Sequence, residues 1–473
     1  MSSDFGYPAI AQFTSFRAAP IMMKTVQPLA QLPAPKAHVL LGHSSYFSKD
    51  PLQFLCECAQ QYGDMVPLRL GFSQACFVSD PSLMMEVLRE RTIFTKNTPG
   101  WRAIRTLVGT GLLGSDGDFW ARQRQLTQPI FHHQRIMAYG SLMVKATEHL
   151  LDRWQDGTVR DVHQDMMRLT LDVVMQTLLG VDLAAQEAQA IAHALDVSMQ
   201  WFAQQQKQGF LLPNNFPLPL TQRYFAAIRK MDDLVYQLVR QRRANQQDTG
   251  DLLSMLLQVK DETDGSQMSD RQLRDELTTL VLAGHETTAN ALAWTWMLLA
   301  QHPEVEAQLH HELDTVLQGR SPTVGDIPNL PITQNILKES MRLYPPVVLI
   351  ARSASQPYVL KGHEIPQNCV MLMSPWVMHR SDRYFDDPTA FKPQRWEQDF
   401  EKQLPKGVYI PFGEGPRICI GKGFAQMEAT LMLATLAQHY QLRLAPGQTV
   451  QPQPSITLRP KHGLRMTLQA RSH

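Results

Sequence analysis

Cys419 stands in the stretch IPFGEGPRICIGKGFAQME (410–428), with Gly413, Gly415, Gly421 and Gly423 around it and Arg417 two residues before it. A lone cysteine is usually a small buried hydrophobe, a role that explains neither the glycines nor the arginine. Glycines crowded around one side chain suit backbone that turns left-handed or approaches another body closely. From Gly423 onward the chain has helical apolar spacing and no internal proline. The cysteine therefore lies just before or at a helix N-terminus, where exposed N–H groups favour an anion such as a thiolate. That is a good place for a soft metal ligand.

Two further constellations put charge among apolar residues. KESMR sets Glu339 and Arg342 three apart, on one helix face. On a surface such a pair is worth well under about 1 kcal/mol. Flanked by Ile336, Leu337, Met341 and Leu343, it suggests burial, where it needs further partners to offset desolvation. LAGHETTA (282–289) lies between TTLVL and ANALAWTWMLL, apolar on all sides. Glu286 and Thr287 are then polar groups inside a buried helix, which is costly without a purpose. Thr287 can return a hydrogen bond to the preceding turn, where Ala283 shares its face.

Other motifs fail on context. GTGLLG (109–114) matches the dinucleotide fingerprint, but SDGDFW follows it, a turn where a nucleotide site needs a helix. HETTA and HELDT begin like the zinc-protease helix H-E-x-x-H and break it at Ala289 and Thr315.

The elements that must position these residues are mostly helical. DPLQFLCECAQQYG (50–63) reads as a helix with Asp50 as N-cap and Pro51 first. MVPLRLGFSQACFVS (65–79) reads as a hairpin, and helices dominate from about 118 to 318. Short strands return near VVLIARSA and YVLKGHEIPQNCVMLMS, and a strand pair closes the chain. The fold class is mostly α with small β-sheets, in one large domain (41–473) preceded by an extended, proline-punctuated segment (1–40). Lys plus Arg total 45 against 44 for Asp plus Glu, which argues against a nucleic-acid binder. Five sparse cysteines are no disulfide framework and fit a reducing compartment, so a cytoplasmic location is expected. The sequence shows no transmembrane segment or signal-peptide core.

Taken together, the motifs resemble the cytochrome P450 superfamily. Phe412, Gly415, Arg417, Cys419 and Gly421 match its haem-binding signature. Glu339 and Arg342 match its Glu-x-x-Arg helix, AGHETT its distal motif, and Trp120 with Arg124 its Trp-x-x-x-Arg pattern. FKPQRW (391–396) resembles its Pro-Glu-Arg-Phe loop, with Gln394 and Trp396 in place of Glu and Phe. The resemblance covers nearly the whole chain, and the motifs fall in the family's order. It implies the P450 fold, with haem b (iron protoporphyrin IX) between a long central helix and the cysteine loop, and Cys419 as the thiolate on iron. It implies donors to the haem propionates at Trp120, Arg124, Arg352 and Arg417, and a structural triad of Glu339, Arg342 and Arg395. Ala283 and Gly284 would leave space for dioxygen, Thr287 would hydrogen-bond it at the iron, and Glu286 would relay protons from solvent. The implied reaction is monooxygenation: one oxygen atom of O2 enters the substrate and one leaves as water. Residues 420–473 are too few for a flavin or iron–sulfur module, so a separate electron donor is expected, a ferredoxin or flavodoxin with its NAD(P)H-dependent reductase. Arg122, Arg124 and Lys422 are candidates for its docking patch.

By family position the substrate pocket draws on Trp101, Ile104, Leu107, Trp201, Phe202, Phe210, Leu211 and Leu212, and on residues near Ala283, Val348 and Ile456. These are apolar, as a pocket for a fatty acid, terpenoid or carotenoid would be, and as plain core would be. Arg102 and Arg105 either meet a substrate carboxylate or sit on the surface. A peroxide-using peroxygenase or isomerase is the alternative, against which the intact Glu286–Thr287 pair counts. A haem-based sensor or carrier is a remote third.

Overall fold

The computed structural model describes residues 26–180, 185–208, 212–245, 251–259 and 265–471. Asp50 accepts from Gln53 N–H at 3.0 Å and Pro51 takes the first position of helix α1 (Pro51–Tyr62), the start its sequence predicts. The hairpin follows as β1 (Met65–Leu70) and β2 (Ser73–Val78), with Met65 opposite Val78. Two-residue β3 (Phe94–Thr95), β4 (Ile350–Ala354) and β5 (Val370–Met373) complete a five-stranded sheet in the order β1-β2-β5-β4-β3. Of the expected N-terminal segment, Gln27–Pro28 pairs in parallel with His363 and Glu364, which ties it to the body. A short helix, Ser44–Lys49, precedes α1.

Beside three smaller sheets, helices make up most of the rest of the described residues. In chain order those that build the site are α2 (Pro99–Val108), α3 (Gly117–Thr127), α4 (Val162–Leu179), α5 (Ala185–Lys207), α6 (Pro219–Asn245) and α7 (Asp270–Gln301). They are followed by α8 (Pro331–Leu343) and α9 (Lys422–His439). Ser269 and Gln272 form a reciprocal capping box at the start of α7. This helix is apolar on several faces because other elements surround it: α4, α8, α9 and a C-terminal hairpin (Pro452–Pro454 with Leu458–Pro460) pack against it. Trp294 and Trp296 are fully buried, and Trp294 Nε1–H donates to Leu458 O at 2.9 Å. Gly284 allows α4 to approach: a Cβ there would come 2.9 Å from Val174 Cγ2. Its small size therefore serves helix packing as well as any cavity.

The glycine run at 109–114 has a structural purpose. Gly109 ends α2 at φ 56°, and a Cβ there would overlap the Asp275 carboxyl. Thr110 N–H donates to Asp275 at 2.8 Å and Leu112 N–H to Glu276 at 3.0 Å. The loop's free N–H groups are thus spent on carboxylates of α7, which rules out the phosphate cradle that the motif superficially suggests. Burial pushes the Glu276 carboxyl up to about 8, against the Leu112 hydrogen bond.

Glu339 and Arg342 are both fully buried on α8. Arg342 spends all its donors: two on Glu339 at 2.8 Å, and the rest on the carbonyls of His379, Pro388 and Ala390. Glu339 also accepts from Lys392 N–H, Arg395 Nε–H and Trp396 Nε1–H, each at 2.9 Å. Such completeness is what makes a buried ion pair tolerable. Trp396, which replaces the phenylalanine usual in the resembling loop, contributes a donor that phenylalanine lacks. Trp396→Phe is therefore expected to cost about 1.5–3 kcal/mol, the range for a hydrogen bond to a charged group. Urea unfolding followed by circular dichroism checks this, and an unchanged midpoint would show that the indole does not support Glu339.

Candidate active site

The cysteine loop closes on itself before it presents the sulfur. Cys419 N–H donates to Phe412 O at 2.9 Å, and Gly413 and Gly415 turn left-handed at φ 70° and 74°. Gly415 also lies against Leu88, whose carbonyl oxygen would be 3.0 Å from an added Cβ. Gly421 differs: its φ is negative, and an added Cβ would meet nothing closer than 3.7 Å. An added Cβ at 421 would thus make only an ordinary contact, with Phe131, and Gly421 itself lines the cavity that holds the sulfur. α9 begins three residues after Cys419, close to the expected position.

Cys419 is exposed, and what it is exposed to is a partly open cavity of about 940 Å³. The surrounding walls explain why burial raises the thiol pKa although the residue has open surface. Gly421 N–H, Arg124 and Lys422 pull it the other way. The cavity also takes in Ala283, Gly284 and Thr287 of α7. Ala283 is exposed in an otherwise buried stretch of helix, the mark of a face turned to a void. Thr287 Oγ1–H donates to Ala283 O at 2.6 Å, the predicted back-bond. Glu286 is absent from the lining; it is buried and accepts from Thr457 Oγ1–H at 2.6 Å. Desolvation raises its pKa, opposed by that hydrogen bond.

One wall of the cavity carries an excess of buried positive charge. Arg352, Arg417 and Lys96 line it, each almost without solvent exposure. The carboxylate among them is Asp116, which accepts from Arg417 Nη2–H at 2.6 Å, Arg105 Nη2–H at 3.0 Å and Lys96 N–H at 2.9 Å. Arg352 finds the carbonyl of its neighbour Ala351, and Lys96 that of Leu113. Arg417 Nη1 is buried with no partner. Burial, reinforced by Arg417 at Arg352 and by Arg91 and Arg105 at Arg417, lowers the pKa of both arginines to about 10, and burial with the two arginines lowers that of Lys96 well below its ordinary value. An unpaired buried cation is costly. This surplus suits a ligand with two carboxylates, and with the bare thiol and the space at Gly421 it suits haem b. Trp120 and Arg124, four apart on α3, line the same cavity. The Arg417 guanidinium stacks 4.3 Å from the Trp120 ring, and Arg124 donates to Ile418 O at 3.0 Å. The sequence reading missed Lys96 and Asp116, which carry no periodicity or motif of their own.

Several pocket expectations change. Trp101, Ile104, Phe202, Val348 and Ile456 line the cavity, whereas Leu107, Trp201 and Leu212 do not. Trp201 is core: its ring stacks on Tyr224 at 4.2 Å, and its N–H goes to Thr221. Phe210 and Leu211 lie outside the described residues. Arg102 is exposed, and Arg105 is held by Asp116 and Gly114 O, so neither meets the cavity. Arg122 donates to Ser266, away from Lys422, whose ammonium lies 5.9 Å from the Phe412 ring. All five cysteines are free thiols in this structure. Among the described residues no helix is long and apolar enough to cross a membrane.

Comparison with known proteins agrees with this geometry. The family profile described as Cytochrome P450 matches residues 32–467. The chain is 36% identical to cyclooctatin synthase of Streptomyces melanosporofaciens, over 90% of this chain and 93% of that one. It is 32% identical to pentalenene oxygenase of Streptomyces avermitilis, over 93% of this chain and 97% of that one. A crystal structure of the cytochrome P450DA heme domain superposes with a TM-score of 0.83 at 28% identity, covering 93% of this chain and 98% of that one. The fold, the motifs and the relatives lead to one conclusion: this chain is a haem-binding monooxygenase of the cytochrome P450 family.

Proposed function

We propose that the chain hydroxylates a compact terpenoid hydrocarbon, with Cys419 as the ligand to haem iron. The observation that carries the substrate class is the charge of the cavity wall. None of the lining residues contributed by α2, α5, α7 and the 454–457 turn is charged. A fatty acid buried there would leave its carboxylate unpaired, at a cost of several kcal/mol or more; a hydrocarbon meets no such penalty. The cavity must hold haem and substrate together, so its volume favours a small ring system over a long carotenoid. The names of the relatives, cyclooctatin synthase and pentalenene oxygenase, point the same way.

Haem, when bound, supplies the activation of dioxygen that puts one oxygen atom into the substrate and the other into water. The chain's own residues set the conditions. Gly421 N–H and Arg124 stabilise negative charge on Cys419 Sγ. Lys96, Arg352 and Arg417, which line the cavity, would hold the propionates. The apolar wall formed by Trp101, Ile104 and Phe202 excludes water and orients the hydrocarbon. Thr287 spends its hydroxyl proton on Ala283 O, which turns the oxygen's lone pairs toward the cavity, ready to accept and pass a proton. Glu286 holds the next proton at its carboxyl and serves as the relay from solvent. Electrons come from a separate ferredoxin or flavodoxin and its NAD(P)H-dependent reductase, with Lys422 near the sulfur as one docking charge.

Two outcomes test this reading. Arg417→Leu and Arg352→Leu should each weaken haem retention by about 10- to 100-fold, the loss of one charged hydrogen bond, read as faster haem transfer to apomyoglobin. Unchanged transfer in both would remove the propionate assignment. In a spectral titration of the holoenzyme, pentalenene should shift the Soret band toward high spin at a concentration at least tenfold below that needed for dodecanoic acid. Equal or tighter binding of the acid would contradict the hydrocarbon assignment.

A further inference from the structure

Glu286 does not face the cavity, although it adjoins Thr287, which does. Its carboxyl ends a chain of buried hydrogen bonds, and the side chain of Asn290, a member of that chain, also acts on it directly. His163 of α4 meets Asn290 Oδ1 at 2.9 Å, Asn290 Nδ2–H donates to Thr457 Oγ1 at 3.1 Å, and Thr457 Oγ1–H donates to Glu286 Oε1 at 2.6 Å. The order of donors is forced. An amide nitrogen can only donate, so Asn290 presents its oxygen to His163, which must carry its proton on Nε2. The Thr457 proton is then directed to Glu286. Every bond points the same way, and aligned donors reinforce one another at the terminal carboxylate.

Thr457 belongs to the substrate wall as well as to this chain. Ser455, Ile456 and Thr457 all line the cavity, in the turn of the C-terminal hairpin. That turn is held at a few points: Ser455 N–H to Thr457 O at 3.0 Å, Ser455 Oγ–H to Met199 O of α5 at 3.4 Å, and Leu458 N–H to Pro346 O at 2.8 Å. α5 also carries Phe202 into the cavity. A body seated against Ile456 and Phe202 therefore bears on the two elements that fix Thr457.

We propose that Thr457 latches Glu286 away from the cavity, and that a substrate seated against Ile456 releases it, so that the proton relay opens in an occupied site. The proposal rests on Glu286 as the relay, as assigned above. Asn290 and His163 are positioning residues that act through Glu286 from outside the cavity lining, whereas Thr457 acts on Glu286 from the cavity wall itself. The device couples proton delivery to occupancy, which would suppress wasteful reduction of dioxygen when the site is empty.

The test reads Glu286 directly, by infrared difference spectroscopy of the haem-loaded protein, with its carboxyl band assigned as the one lost in Glu286→Gln. Without substrate, Thr457→Val should move that band and Thr457→Ser should leave it in place. In the unsubstituted protein, pentalenene should move the band in the same direction as Thr457→Val does, with the Soret shift as proof of occupancy; in Thr457→Val it should cause no further change. With ferredoxin and its reductase present, substrate-free NADPH consumption should rise at least threefold in Thr457→Val and return to baseline when Glu286→Gln is added. An unmoved band in Thr457→Val overturns the latch. So does a band unmoved by pentalenene while the Soret shift shows the site filled. Absence of any Soret shift would instead count against the substrate class, and the substrate-free comparison would still decide the latch.

Discussion

Everything in this structure depends on bringing one sulfur into a large, mainly apolar cavity. A loop that enters such a space must satisfy its backbone groups elsewhere. Here Phe412 O takes the Cys419 N–H, Arg124 reaches across from α3 to Ile418 O, and two left-handed glycines make the turn tight enough to close. The sulfur is left as the exposed atom of a finished loop. Burial raises the pKa of the free thiol, so in the proposed assignment a metal at Cys419 would stabilise the thiolate and its binding would release the proton. That delivery puts the sulfur in the same cavity as Ala283, Gly284 and Thr287 of α7, where the proposed haem would be held between them.

The opposite wall shows what the fold gives up for function. Arg352, Arg417 and Lys96 are buried around one carboxylate, and a nitrogen of Arg417 has no partner. Contrast the Glu339 cluster, equally buried, in which every donor of Arg342 is used. The two sites hold similar groups under opposite rules. The Glu339 cluster is closed and serves stability. The Arg417 cluster is left open for a dianionic partner, in keeping with the tendency of perturbed groups to gather at functional sites. A chain of this kind gains stability from its cofactor.

Much of this was legible in the sequence where the signal is local. Cys419, the Glu339–Arg342 pair, the Thr287 back-bond and the Asp50 cap each depend on residues within a turn or two of one another, so spacing reveals them. What was not legible depends on chain separation. Lys96 and Arg417 meet at Asp116 only because β3, α3 and the cysteine loop converge. Arg105 is drawn to the same carboxylate, away from the cavity where a substrate role had been considered. Trp201 and Phe202 are adjacent aromatic residues on one helix; nothing in their types distinguishes the one stacked on Tyr224 from the one facing the cavity. Trp396 was visible as a departure from the loop's usual phenylalanine, but its hydrogen bond to Glu339 spans 57 residues and has no sequence signature.

The central claim is the bond between Cys419 and iron. It is tested most directly by reducing the haem-loaded protein under carbon monoxide and recording the Soret band, for the protein as it stands and for Cys419→Ala. The account predicts the long-wavelength band of cysteinate-ligated haem in the first and its loss in the second, with circular dichroism showing the fold retained. A folded, haem-replete protein that lacks the band, or that keeps it without Cys419, would contradict the account.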